Sequence, residues 1–171
     1  MNVVDTAREQ VKHLVEVVTD KVTDAATTES RIQAITIGRP RADVIRLFQD
    51  AELLAEVVGD FAEVHSGGEG RLRWTFLFDG GVAWDCVIVV EDDIRVRFVD
   101  VNPDRTAELT LDFRDAPQDR GTEVTARVSS PAPGTLTGAV AYKLLYRARA
   151  VLLTGEAPTI KYNPSARDSR R

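Results

Sequence analysis

Apolar positions recur at spacings of three and four near both ends of the chain and at spacings of two between them. Val4, Ala7, Val11, Leu14, Val18 and Val22 predict an amphipathic helix over residues 3–24, started by Asn2 or by the Thr6-Ala-Arg-Glu9 capping box. Valine is a poor helix former, so this helix needs a partner surface for its stripe. A polar linker follows to Ser30. Residues 31–37 alternate as a strand whose inward set is undetermined, because isoleucines occupy both parities. Gly38-Arg39-Pro40 breaks it, with Pro40 placed for the first turn of a short helix carrying Val44, Ile45, Leu47 and Phe48; a second helix covers 51–58 and stops at Gly59-Asp60.

Period-two alternation then predicts six strands, at 61–66, 72–78, 82–91, 94–101, 107–114 and 122–129. Asp79-Gly80-Gly81 suits a tight primed turn and Asn102-Pro103-Asp104 a type I turn. Leu72, Trp74, Phe76 and Phe78 oppose Arg71, Arg73, Thr75 and Leu77; Leu109, Leu111 and Phe113 oppose Glu108, Thr110, Asp112 and Arg114. That is a sheet with one apolar and one charged face. Its cover is the last helix, from a Thr135 N-cap to a Gly155 stop, about 19 residues and ~28 Å long. One side of this helix mixes Val140, Leu144, Leu145, Val151 and Leu152 with the small residues Ala141 and Ala148 and with Thr137, so it either packs closely or leaves room for a guest. The other side carries Tyr142, Tyr146, Arg149 and Leu153, too apolar for a purely solvated face; residues 3–24 are its candidate cover.

Composition narrows the classes. The chain has 171 residues, room for one domain with extensions, and a net charge of −5 with its basic residues scattered singly, which argues against a nucleic-acid or anionic-membrane partner. Arg167, Arg170 and Arg171 form only a short basic tail. Cys86 is the only cysteine, so no intrachain disulfide forms and a reducing cytoplasm fits. No run of apolar residues is long enough for stable membrane insertion. His13 and His65 are the only histidines and make no zinc spacing; no metal or other cofactor is expected. Gly67-Gly68-Glu69-Gly70 lacks the Lys-Ser/Thr of a phosphate loop and leads into a strand, so it reads as a turn.

The element order, with Arg73-Trp74 on one strand, Val82-Ala-Trp84-Asp85 on the next, Arg120-Gly121-Thr122 opening the last strand and Leu153-Thr154-Gly155-Glu156 ending the helix, resembles the START/Bet v 1-like (SRPBCC) superfamily, and within it the bacterial polyketide cyclase/dehydrase and lipid transport group. The resemblance covers about residues 31–161. It implies an α+β helix-grip fold: a curved seven-stranded antiparallel sheet wrapped around the long C-terminal helix, with two small helices closing an apolar cavity. The N-terminal helix is an addition to that plan. The domain limits that follow are 1–29 for helix and linker, 30–161 for the ligand-binding domain and 162–171 for a flexible tail.

The expected function is binding or transport of a small hydrophobic ligand, lipid-, quinone- or polyketide-like. Its candidate lining is Trp74, Phe76, Trp84, Leu111, Phe113, Thr137, Ala141, Leu144, Leu145 and Ala148, with Thr137 setting orientation. The enzyme alternative is a cyclase, aromatase or dehydratase that uses His65 or Asp100 for proton transfer; a strand-end aspartate beside Asn102-Pro103 also caps turns. The third reading is an interaction protein, monomer or homodimer through residues 3–24. Cys86 reads as a small buried hydrophobe.

Overall fold

The computed structural model describes residues 32–78, 80–129 and 138–158. The expected helix 3–24, the Thr135 cap, Thr137 and the 162–171 tail lie outside the described residues. Seven strands form one curved antiparallel sheet: β1 (Ile32–Ile37), β2 (Ala62–Gly68), β3 (Arg71–Phe76), β4 (Ala83–Glu91), β5 (Arg95–Asp100), β6 (Glu108–Asp115) and β7 (Thr122–Ser129), in the order β1-β7-β6-β5-β4-β3-β2. Helices α1 (Arg41–Gln49) and α2 (Ala51–Val58) connect β1 to β2, and α3 (Gly138–Thr154) packs against β1, β7 and α2. This is the helix-grip architecture.

Alternation sets the two faces. Buried Leu72, Trp74 and Phe76 in β3, Trp84 and Cys86 in β4, Val96 and Phe98 in β5, Leu109, Leu111 and Phe113 in β6 and Val124, Ala126 and Val128 in β7 all belong to one core with α3. The outward face carries ion pairs across neighbouring strands. Arg73 grips Asp85 with two bonds of 2.8 and 2.9 Å, Arg97 donates to Glu108 at 2.6 and 3.1 Å, Arg95 meets Asp112 at 2.6 Å, and Arg114 meets Glu123. The Arg73 hydrogen bonds hold the Asp85 carboxyl below its ordinary range, and Arg97 does the same for Glu108. Such exposed pairs add little stability each. Their value is register, because a one-residue slip would turn this charged row into the core.

β1 resolves by burial: Ile37 is fully buried and Ile35 half-buried, while Ile32, Ala34 and Thr36 are exposed. Pro40 is the N-cap of α1 rather than a residue of its first turn; its ψ of 147° is extended, and the helix begins at Arg41. Asp50 caps α2 by accepting from the Glu52 and Leu53 amides at 2.9 and 3.2 Å. β3 ends at Phe76, two residues before the expected 78, because the chain turns there with Gly80 and Gly81 at φ 78° and 80°. β2 runs on to Gly68 through a bulge, and the following turn holds Glu69 and Gly70 at positive φ. At the other end, Gly155 (φ 79°) closes α3, its amide donating to the Val151 carbonyl at 2.8 Å.

Candidate functional site: an aromatic wall in the sheet facing the closing helix

Register brings Trp74 and Trp84 directly opposite each other on β3 and β4, with Cys86 opposite Leu72 on one side and Asp100 on the other. Trp74 is the centre of the cluster. Its ring lies 6.1 Å from Phe76, 6.0 Å from Trp84 and 5.9 Å from Phe98, the last edge-on at 82°. Phe48 of α1 meets Phe113 of β6 at 5.9 Å, extending the aromatic surface under the short helices.

The two indoles differ in one respect. Trp84 Nε1 donates to Asp100 Oδ2 at 3.1 Å. Trp74 Nε1 is fully buried and meets no oxygen or nitrogen acceptor among the described residues; only the Cys86 sulfur, a weak acceptor, lies toward it. An unmatched buried N–H costs about 1–3 kcal/mol, so this donor is conspicuous in an otherwise apolar wall.

Asp100 spends both oxygens. Oδ2 accepts from Trp84, and Oδ1 accepts the Asn102 amide at 2.8 Å, capping the turn into Asn102-Pro103-Asp104. It therefore does what strand-end aspartates do and in addition fixes Trp84. His65 is a correction: its side chain, 72% exposed, lies on the outward face of β2 beside Glu63 at 3.8 Å, because it alternates with inward Val64. It cannot meet a molecule held inside the sheet.

Burial pushes the Cys86 thiol up to about 12, with Asp100 and Asp85 adding to the effect and Trp74 opposing it. The folded state thus retains a proton that the unfolded thiol releases near pH 8.5. The contribution of this group is whole below that pH and is lost as pH rises toward 12. In denaturant titrations, stability should fall across this window relative to Cys86→Ala, and at pH 8 a maleimide should label the thiol only after unfolding.

Trp74, Phe76, Trp84, Leu111, Phe113, Ala141, Leu144, Leu145 and Ala148 are all buried and belong to one contiguous core. Three features escape the sequence pattern: Phe98 as the edge-on partner of Trp74, the unmatched Trp74 N–H, and Arg147. Arg147 is 6% exposed, at the border of the α3 stripe, and donates to the Val57 carbonyl, to Asp60 Oδ2 at 2.6 Å and to the Pro158 carbonyl at 2.6 Å. An arginine flanking an apolar stripe ordinarily extends to solvent. Only the position of the end of α2 shows that this one turns inward.

No family model matches the chain, and no curated protein matches it in sequence. Solved structures do. The chain is similar to DR_A0006 from Deinococcus radiodurans (TM-score 0.56, 24% identity, 72% of this chain and 97% of that one). It is also similar to the KanY protein (TM-score 0.55, 14% identity, 70% and 94%). A third similarity is to the di-domain ARO/CYC (aromatase/cyclase) StfQ of the steffimycin biosynthetic pathway (TM-score 0.56, 15% identity, 70% of this chain and 43% of that one). At these identities the likeness is one of fold, the helix-grip fold described above. Among the described residues no helix is long and apolar enough to cross a membrane.

Proposed function

We propose that the protein binds a small hydrophobic molecule, lipid-, quinone- or polyketide-like, between the sheet and α3, and that this molecule presents an oxygen acceptor to Trp74. The observation that carries the reading is the Trp74 indole: an aromatic surface suited to a flat or isoprenoid guest, with one donor left unmatched among the described residues. A carbonyl oxygen would satisfy that donor, which favours quinone and polyketide chemistry over a plain hydrocarbon tail. The lining side chains are buried against one another, so a guest has to part α3 from the sheet. Ala141 and Ala148 are the positions where least side chain must move. The cyclase alternative has less support, since His65 is solvated and Asp100 is occupied by Trp84 and the Asn102 amide.

The test is tryptophan quenching by a panel of fatty acids, quinones and aromatic polyketides, with native mass spectrometry of solvent-extracted protein. Saturable quenching by carbonyl-bearing members is expected. Trp74→Phe keeps an aromatic ring, removes the N–H and leaves a small cavity; it should weaken carbonyl-bearing ligands roughly three- to tenfold relative to plain hydrocarbon members of the panel, the worth of one neutral hydrogen bond, with a modest fall in Tm from the lost ring volume. Ala148→Leu should block uptake and, because Ala148 is fully buried among its neighbours, cost about 1–3 kcal/mol of stability. An empty extract together with no saturable quenching by any panel member would overturn the proposal.

A further inference from the structure

The outward side of α3 is a second surface that the ligand reading does not use. Tyr142 and Tyr146 stack there at 6.2 Å and 12° between ring planes, 57% and 49% exposed, and Leu153, on the same side, is 43% exposed. Beside the tyrosines runs a groove of about 580 Å³ lined by Asp60, Phe61, Tyr142, Lys143, Tyr146, Arg147 and Pro158. Two stacked tyrosines next to a largely apolar groove, with Leu153 two turns further along the same helix face beyond Arg149, form the kind of patch that proteins cover.

We infer that residues 3–24 of the same chain dock on this face as an amphipathic helix. Three observations point to that occupant. The first is a matching need: the stripe Val4, Ala7, Val11, Leu14, Val18 and Val22 is built largely of poor helix formers, so it becomes helical only against an apolar surface. The second is where the described chain begins. β1 packs on α3 and leads to Arg39, whose Nε donates to the Leu152 carbonyl at 2.9 Å, while Gly38 lies against Leu153. β1 therefore ends at the C-terminal end of α3. Its six residues span ~20 Å and β1 packs on α3, so the segment before Ile32 joins the fold within reach of α3.

The third observation is reach. Residues 25–31 extend up to ~24 Å, enough to carry the preceding segment over the edge of the sheet onto α3. A helix over 3–24 is ~33 Å long, sufficient to run the length of α3. The polar set Asp5, Glu9, Glu16 and Asp20 falls on the side of that helix opposite its stripe and would face water.

Hydrogen–deuterium exchange of the full chain tests this peptide by peptide. Amides in 3–24 should be protected, and the protection should persist through about a tenfold dilution, because a tether this short sets an effective concentration in the millimolar range. Tyr142→Ser/Tyr146→Ser should abolish it, with exchange in 3–24 rising at least about tenfold, the factor that corresponds to 1.4 kcal/mol. The amides of β3 to β7 should stay as slow as before and report that the variant is folded; should they change, the single variant Tyr146→Ser carries the comparison. Free-rate exchange of 3–24 in the unmodified chain would overturn the inference. So would protection indifferent to the tyrosines, protection that fades on dilution and marks a second copy, or protection of 159–171 in place of 3–24.

Discussion

Gly121→Ala is expected to cost more than about 3 kcal/mol, a large fraction of the stability of a domain this size. Gly121 has φ 105°, a conformation that a residue with a Cβ rarely adopts. A methyl added there would run into the Ile37 carbonyl oxygen and lie 2.7 Å from the Arg39 amide nitrogen and 2.8 Å from Gly38 Cα. All three are backbone atoms of the β1–α1 connection and cannot swing aside. Next to it the fully buried Thr122 donates its hydroxyl to the Arg39 carbonyl at 2.9 Å, locking the same two segments together. Backbone strain and overlap act at one atom, so relieving one aggravates the other. Gly155→Ala is the control. Its φ is 79°, but a methyl there meets nothing within 4 Å, so only the conformational term applies, about 1 kcal/mol. Urea unfolding of both variants at equal protein concentration separates the two costs. Equal, small losses would mean that the β1–α1 connection yields more than its contacts with Gly121 suggest.

The same position shows what the sequence could reveal. Arg120-Gly121-Thr122 is recognisable as a pattern, yet its reason is the close approach of β1, a segment distant in sequence. Strands β3, β5, β6 and β7 were legible because each alternates apolar residues with charged or hydroxyl ones, many of which pair across the outer face, while β4 showed itself as a continuous β-branched run after Cys86. β7 fell on its expected limits. β1 left its inward set open because it is an edge strand in which only Ile37 is fully buried, so nothing in its composition separates the two parities. The aromatic wall was legible in part: parity put Trp74, Phe76 and Trp84 inward. The orphaned indole was not, because whether Trp74 finds an acceptor depends on which way its ring lies and on what the neighbouring strands bring near. His65 failed for the simplest reason, the parity of a strand with a weak apolar signal, in which Ala62 and Val64 alone mark the inner face.

Arg147→Ala is the second substitution with a large expected effect, about 2–4 kcal/mol, from the two carbonyls it leaves without a donor and the space it opens. The guanidinium serves three acceptors that belong to two other parts of the chain: the Val57 carbonyl in the last turn of α2, Asp60 just after it, and the Pro158 carbonyl beyond α3. Removing it returns the Asp60 carboxylate to water, since that side chain is 40% exposed, but leaves the two carbonyls facing a gap. Arg147→Lys should recover less than half of the loss, because an ammonium on a single stem cannot reproduce a fork that bonds from Nε and Nη1 together. Asp60→Asn keeps an oxygen at the same place and should cost the least of the three. The functional consequence, on the proposed ligand reading, follows from position: α2 packs on α3 and β2, and Arg147 is its tie to α3. Hydrogen exchange in 51–58 should accelerate in Arg147→Lys well before global unfolding, and a bound ligand should leave faster with a smaller change in its rate of entry. Uniform acceleration across sheet and helices would instead make Arg147 a contributor to global stability with no particular hold on α2.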